Sequence, residues 1–92
     1  MAAMSSGEVD EQLKSREGWR RDGDAIRREF KFKDFKQAMG FVNTVAGAAE
    51  AMDHHPDITI NYNRVTMVLS THSEGGVTAK DFDLASKIDA AA

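Results

Sequence analysis

The chain has 92 residues, a net charge of −3 at pH 7 and no cysteine. This length corresponds to one domain over residues 1–92, and the lack of cysteine excludes disulfides, thiolate chemistry and sulfur-ligated metal sites. The charge does not supply the basic surface that nucleic acid requires, and no apolar run approaches the roughly 20 residues of a membrane span. We therefore expect a cytoplasmic protein with no nucleic-acid or membrane partner.

The N-terminal part of the sequence predicts a helix and then a β-hairpin. Residues 1–7 are small and polar and are expected to be loosely held or disordered. Ser5 or Ser6 can cap a helix over Glu8 to Glu17. Asp22–Gly23 then favours a tight type I′ turn between two strands. After this turn, apolar residues occupy alternate positions on one face of the second strand, at Ile26, Phe30 and Phe32.

The middle of the sequence predicts the longest helix. Asp34 and Gln37 have the spacing of a capping box. Apolar residues from Phe35 to Met52 then follow a rhythm of about 3.5 residues. Because Pro56 disfavours helical geometry at the residue before it, the helix is expected to end near Asp53.

The C-terminal part predicts a second hairpin and a last helix. Between Ile58 and Leu69 the apolar period is two, and Asn63–Arg64 can turn the chain between the strands. Thr78 opens the final helix. The predicted order is α-ββ-α-ββ-α, an α+β domain with a single four-stranded antiparallel sheet and helices packed on one face.

All three histidines lie in predicted loops at the ends of regular elements. His54 and His55 follow the longest helix, and His72 follows the fourth strand. Histidine exchanges a proton near neutral pH, and each such transfer is worth roughly 10²–10⁴ in rate. If the two loops converge, they form a candidate acid–base site, with Asp53 and Asp81 as candidates to orient the imidazoles.

Simpler interpretations remain beside this one. A histidine in a loop is commonly a surface or capping residue, and Thr78 to Asp81 has the spacing of a capping box, so Asp81 can be purely structural. A three-histidine zinc site is chemically possible. However, neighbouring histidines in extended backbone point to opposite sides, which disfavours one ion shared by His54 and His55. We therefore predict no metal.

Six short motifs follow one another along the chain, and together they cover nearly everything after residue 17. They are GW at Gly18–Trp19, FKFKDFKQAMGFV from Phe30 to Val42, DHHP from Asp53 to Pro56, YNRV from Tyr62 to Val65, LSTH from Leu69 to His72, and DLAS from Asp83 to Ser86. In this order they resemble the pterin-4a-carbinolamine dehydratases, known in animals as dimerisation cofactors of a homeodomain transcription factor. The pairing of DHHP with a later STH is the most specific part of the resemblance.

The resemblance implies a reaction and a set of site residues. The family removes water from the 4a-hydroxy-tetrahydropterin (4a-hydroxytetrahydrobiopterin) that aromatic amino acid hydroxylases produce, so the pterin is the substrate of a lyase and no cofactor is implied. His54 and His72 match the acid–base pair and His55 a substrate-positioning group. Glu50, one helical turn before His54, is in a position to orient it. The other residues expected to line the pterin site are Asp53, Pro56, Ser70, Thr71, Ser73 and Asp81.

The resemblance also implies partners, and it has two departures. The family forms tetramers, which suits the thin core of a short chain, so we expect a homo-oligomer, either a dimer or a tetramer. An aromatic amino acid hydroxylase is the implied pathway partner. Ile58 replaces an aromatic residue and Lys80 an arginine, which alters the pocket wall and its charge. Two alternatives are a non-catalytic dimerisation or coactivator module with a vestigial pterin site, and a metal-dependent hydrolase.

Overall fold

The computed structural model describes residues 2–92, which form three α-helices and one four-stranded antiparallel sheet. The predicted fold class and order of elements are confirmed. Within residues 2–92 no helix is both long and apolar enough to cross a membrane. The elements are α1 (Ser6–Leu13), β1 (Arg20–Asp22), β2 (Ala25–Lys31), α2 (Phe35–Met52), β3 (Asp57–Asn61), β4 (Arg64–Leu69), a 3₁₀ turn (His72–Glu74) and α3 (Ala79–Ala91).

The strand order places two loops at the same end of the sheet. The strands lie in the order β1-β2-β4-β3, and all neighbours are antiparallel. β3 begins at Asp57, which pairs with Val68 next to the end of β4. Because β3 enters the sheet where β4 leaves it, the segment after α2 and the segment after β4 are neighbours in space.

The core lies between the sheet and the helices. Val65, Met67 and Leu69 alternate along β4 and are fully buried, because this strand lies in the interior of the sheet. Each such side chain contributes roughly 1.5–3 kcal/mol through burial. On the opposite face of β4 lie Arg64, Thr66 and the half-buried Val68, since alternate residues of a strand point to opposite sides. The helices complete the core with Ala38, Phe41, Val45 and Ala49 of α2 and Phe82, Leu84, Ala85 and Ile88 of α3.

Trp19 connects the N-terminal part of the chain to α3. Its ring is almost fully buried, and its Nε1 donates to the Asp89 carboxylate at 2.9 Å. The same carboxylate accepts from Arg28 of β2 at 2.9 Å. A buried indole N–H needs such a partner, so this acid joins the hairpin to the last helix.

The start of the chain differs from its expected loose state. The Met4 N–H donates to the Val77 carbonyl at 2.8 Å, and a Cβ added at Gly76 would lie only 3.2 Å from Ala3 Cβ. Ser5, not Ser6, is the N-cap, and it forms a reciprocal capping box with Glu8. Residues 2–4 therefore pack on the segment before α3. Met1 lies outside the described residues.

α1 is shorter than the sequence predicted, since it ends at Leu13 and not at Glu17. The Arg16 N–H donates to the Leu13 carbonyl and the Trp19 N–H donates to the Arg16 carbonyl. Both bonds span three residues, so tighter turns replace the helical pattern of four.

Both hairpin turns lie one residue away from their predicted positions. Asp22 pairs with Ala25, so Gly23 and Asp24 form the first turn. Gly23 has a φ of 60°, whereas Asp24 has no positive φ, and a type I′ turn requires a positive φ at both central positions. The predicted type I′ turn at Asp22–Gly23 is therefore wrong in position and in type.

The second turn is fixed by its contact with β2. Asn61 pairs with Arg64, so Tyr62 and Asn63 form the turn in place of the predicted Asn63–Arg64. Asn63 Nδ2 donates to the Phe32 carbonyl at 2.8 Å, and the Phe32 N–H donates to the Asn63 carbonyl at 2.8 Å. Asn63 is held beside the end of β2 by these bonds, which moves the turn back to Tyr62, at a φ of 53°.

Candidate active site

The end of α2 sets the direction of the two neighbouring histidines. Asp53 adopts the left-handed conformation, with φ 50° and ψ 42°. Its N–H donates to the Glu50 carbonyl and the His54 N–H donates to the Ala49 carbonyl, both at 3.1 Å. These are the two bonds of a Schellman motif, and aspartate tolerates this conformation better than most residues. The helix therefore ends at Asp53 as predicted, and the chain turns towards β3.

His54 points into the protein. Its side chain is 11% exposed, and Nε2 lies 2.6 Å from Oδ1 of Asp81, whose side chain is fully buried. Oδ2 of Asp81 accepts from the Thr71 hydroxyl and from the Thr78 N–H, each at 2.9 Å. A buried carboxylate is stable only when such donors compensate for lost hydration. Asp81 therefore completes the capping box of α3 and also contacts His54.

His55 points to the opposite side, towards solvent. Its Nε2 lies 2.5 Å from Oε1 of Glu50, and the two side chains are 55% and 78% exposed. The expectation that Glu50 orients His54 is therefore wrong. The physical reason is that the end of α2 turns His54 inward to Asp81 and leaves His55 beside Glu50 in the last turn of the helix.

His72 lies on a short loop closed by main-chain hydrogen bonds. The Thr71 N–H donates to the Gly76 carbonyl at 2.8 Å, and the Glu74 N–H donates to the Thr71 carbonyl at 2.9 Å. The His72 side chain is exposed. Its ring forms no hydrogen bond with any other group of residues 2–92, so both ring nitrogens are open to a ligand.

The two loops border one open cavity of about 280 Å³. All three histidines reach it, so the predicted convergence of the loops is present. Pro56, Glu50 and Asp81 were expected at the site but do not line the cavity, and Asp81 lies behind His54. The lining residues are Asp53, His54, His55, Ser70, Thr71, His72, Ser73 and Lys80.

Lys80 was missing from the residues predicted to bind substrate. The family resemblance had marked it only as a departure that alters the charge of the pocket, at the position directly before Asp81 in the first turn of α3. Its exposed ammonium group brings one positive charge to the rim of the cavity.

A larger groove of about 750 Å³ lies at the other end of β2. Its walls include Phe30, Phe32 and Phe41, and none of its lining residues is a histidine. Proton transfer needs titratable groups that face each other. The smaller cavity is therefore the candidate active site, despite its size.

The donor set of the cavity does not form a metal centre. Across residues 2–92 no group of three or more histidine, aspartate or glutamate side chains is placed to hold an ion. His54 and His55 contact different carboxylates on different sides of the chain. The arrangement suits two proton-exchanging imidazoles on separate loops.

The fold and the site define a small α+β protein with a cavity lined by three histidines. The sequence model of the family described as pterin 4 alpha carbinolamine dehydratase matches residues 2–91. The chain therefore belongs to the pterin-4a-carbinolamine dehydratase family.

Similar proteins agree with this family. A protein of Sulfolobus acidocaldarius is 46% identical over 94% of both chains, and one of Thermomicrobium roseum is 49% identical over 96% of this chain and 95% of its own. Both carry the provisional name pterin-4-alpha-carbinolamine dehydratase.

Two solved structures are similar in fold. A transcriptional coactivator/pterin dehydratase from Brucella melitensis is 44% identical, with a TM-score of 0.94 over 98% of both chains. A pterin dehydratase-like protein identified as a RuBisCO assembly factor in the alpha-carboxysome is 22% identical, with a TM-score of 0.72 over 83% of this chain and 90% of its own. The second likeness concerns the fold alone.

Proposed function

We propose that the protein is a lyase that removes water from a 4a-hydroxy-tetrahydropterin and yields a quinonoid dihydropterin. The observation that carries the proposal is that one cavity is lined both by His54, which contacts the buried Asp81, and by His72, whose ring has no partner within residues 2–92. Membership of the dehydratase family supports a pterin as the substrate class. A cavity of about 280 Å³ is close to the lower end of the size of small-molecule sites, which suits a bicyclic ring.

The reaction needs one proton donor and one proton acceptor. The C4a–O bond breaks, and the hydroxyl takes a proton and leaves as water. N5 loses its proton, and its electron pair forms the N5=C4a double bond. One proton enters and one leaves, so two imidazoles on separate loops complete the balance.

The contacts of His54 favour the role of base. An ionised carboxylate only accepts hydrogen bonds, so the His54 nitrogen beside Asp81, Nε2, carries the proton. Nδ1 is then left with a lone pair that can accept the N5 proton. Asp81 stabilises the imidazolium that results, as carboxylates do in related histidine sites. His72, exposed and without a partner in residues 2–92, is assigned as the acid.

The remaining polar groups of the cavity serve binding. Ser70 donates its hydroxyl proton to the Asp24 carbonyl at 2.9 Å, so this side chain fastens the loop to the first hairpin. Ser73 and Lys80 line the cavity and are exposed. We assign them, with His55, to contacts with the heteroatoms of the pterin ring.

The test is the dehydration of a 4a-hydroxy-tetrahydropterin, followed by absorbance. We expect kcat to fall by about 10²–10⁴ for His54→Ala and for His72→Ala, the range of a general acid or base. His55→Ala is the matched comparison, and it should raise KM more than it lowers kcat. A wild-type protein no faster than the spontaneous reaction would refute the dehydratase.

The alternative is a non-catalytic binding module. The similar protein from Brucella melitensis is described as both a transcriptional coactivator and a pterin dehydratase, so the assay above compares the two roles directly.

The surface has large apolar side chains that a partner would cover: Phe35 is 49%, Ile60 38% and Tyr62 63% exposed. We propose that a second copy of this chain covers part of them, and that the protein acts in the cytoplasm beside an aromatic amino acid hydroxylase. If sedimentation shows a monomer, the proposed contact with a second copy of this chain is contradicted.

A further inference from the structure

Two buried threonine hydroxyls form a chain that ends on Asp81. Thr71 is 5% exposed and Thr78 is fully buried. Their hydroxyl oxygens lie 2.8 Å apart, and Thr71 also donates to Oδ2 of Asp81 at 2.9 Å. Since a hydroxyl has one proton, Thr71 has none left for Thr78. Thr78 must therefore donate to Thr71, and the chain runs in one direction.

A contact at the Thr78 end of this hydrogen-bond chain supports the same direction. The Lys80 N–H, which can only donate, points to the Thr78 hydroxyl oxygen at 3.3 Å. If this hydrogen-bond chain ran in the other direction, the Thr78 hydroxyl proton would have no acceptor within residues 2–92. The Thr78 side chain is fully buried. Leaving a buried donor unsatisfied is costly. Oδ2 of Asp81 is consequently surrounded by donors, and Oδ1 is left for His54.

Thr71 also connects the two loops of the site. Its side chain reaches His54 through Asp81. Its main chain, through bonds to Gly76 and Glu74, closes the loop that carries His72. Thr71 is therefore connected to both histidines. Its hydroxyl donates to Asp81, which contacts His54, and its main chain holds the loop of His72.

We propose that Thr71 and Thr78 are positioning residues that hold the Asp81 carboxylate in one orientation and so keep the proton of His54 on Nε2. The effect on turnover rests on the proposed function, because it matters only if His54 is the base. The effect on the position of the His54 proton does not depend on any activity.

The experiment compares Thr71→Val, which removes the hydroxyl, with Thr71→Ser, which keeps it. Thr66→Val is the matched control, since it makes the same change on β4, on the face of the sheet opposite the core. Nitrogen-15 NMR of the imidazoles reports which nitrogen of His54 carries the proton. In parallel, the dehydration assay gives kcat, KM and the pH profile.

For wild type, Thr71→Ser and Thr66→Val we expect a His54 proton on Nε2. Thr71→Val should show a mixture of the two tautomers and a kcat lower by about 10- to 100-fold, the range that follows from one missing bond to a buried acceptor. KM should change less than kcat, because the Thr71 hydroxyl is bonded to Asp81 and valine keeps the bulk of the side chain that lines the cavity.

Several results would overturn the inference. A wild-type His54 protonated on Nδ1 refutes it even if Thr71→Val does not fold. A folded Thr71→Val with the wild-type tautomer and kcat refutes it as well. If the wild type shows no dehydration, the proposed function fails by itself, and the NMR comparison still decides the role of the threonines.

Discussion

Two helices of this protein begin with the same local motif in different surroundings. α1 begins with a capping box of Ser5 and Glu8, in which both side chains are exposed. α3 begins with a capping box of Thr78 and Asp81, in which both side chains are fully buried. Both boxes satisfy N–H groups that a helix leaves without partners at its start.

The difference between the boxes lies in the second oxygen of the acid. The free oxygen of Glu8 faces water, which satisfies it at little cost. The free oxygen of Asp81 is inside the protein and contacts His54 at 2.6 Å. A motif that only starts a helix at the surface can therefore orient an imidazole when it is buried. The surroundings, and not the motif, decide its role.

The largest expected effect is on kcat, and it distinguishes Asp81 from Glu8. In Asp81→Asn the amide can donate to His54 Nε2, which moves the imidazole proton to Nδ1 and removes the base. We expect kcat to fall by about 10²–10⁴, as for other histidines that lose their orienting carboxylate. Glu8→Gln is the matched variant and should keep wild-type kcat. Equal activity of the two variants would show that both boxes are only structural.

The next effect is on the free energy of unfolding, and it distinguishes the N-cap Thr78 from the N-cap Ser5. Thr78→Ala removes a buried hydroxyl that accepts from Lys80 and donates to Thr71. We expect the free energy of unfolding to fall by about 1–3 kcal/mol, the range for a lost cap combined with an unsatisfied buried partner. Ser5→Ala should cost less, because water replaces its bonds. Urea unfolding at pH 7 measures both, and a larger loss for Ser5→Ala would contradict the comparison.

The smallest expected effect is a pH dependence confined to α1. Hydrogen bonds from the Ser5 backbone and then from its side chain lower the pKa of Glu8 below its ordinary value of 4.5. A lowered folded-state pKa stabilises the protein above the ordinary value, and this contribution disappears as pH falls through the folded value. The stability difference between wild type and Glu8→Gln should therefore shrink between pH 6 and pH 3, as measured by urea unfolding. A stability difference that increases as the pH falls would contradict the lowered pKa of Glu8.

The sequence carried the order of elements and the convergence of the histidine loops. Periods of 3.5 and 2 marked the elements, and the single proline marked the end of α2 before His54. An antiparallel sheet with these connections then brings the start of β3 beside the end of β4. The capping box of Thr78 and Asp81 could also be recognised, because its spacing is local, whereas for α1 only the capping serine was predicted.

What the sequence could not supply depended on burial and on pairing between distant strands. Ser5 to Glu8 and Thr78 to Asp81 have the same spacing, so only the packing of α3 distinguishes them. Helical spacing placed Glu50 one turn before His54 but could not show that His55 is the histidine that contacts it. The hairpin turns shifted by one residue because the register depends on partners such as Asn63 and Phe32, far apart in the chain.

The contact of residues 2–4 with the segment before α3 has a practical consequence for anyone who attaches a tag or fusion partner. Met4 is bonded to Val77, and Ala3 lies against Gly76, which closes the turn bearing His72. A tag that displaces residues 2–4 would remove these contacts from the turn that bears His72, whereas Ala92 is exposed and does not line the cavity.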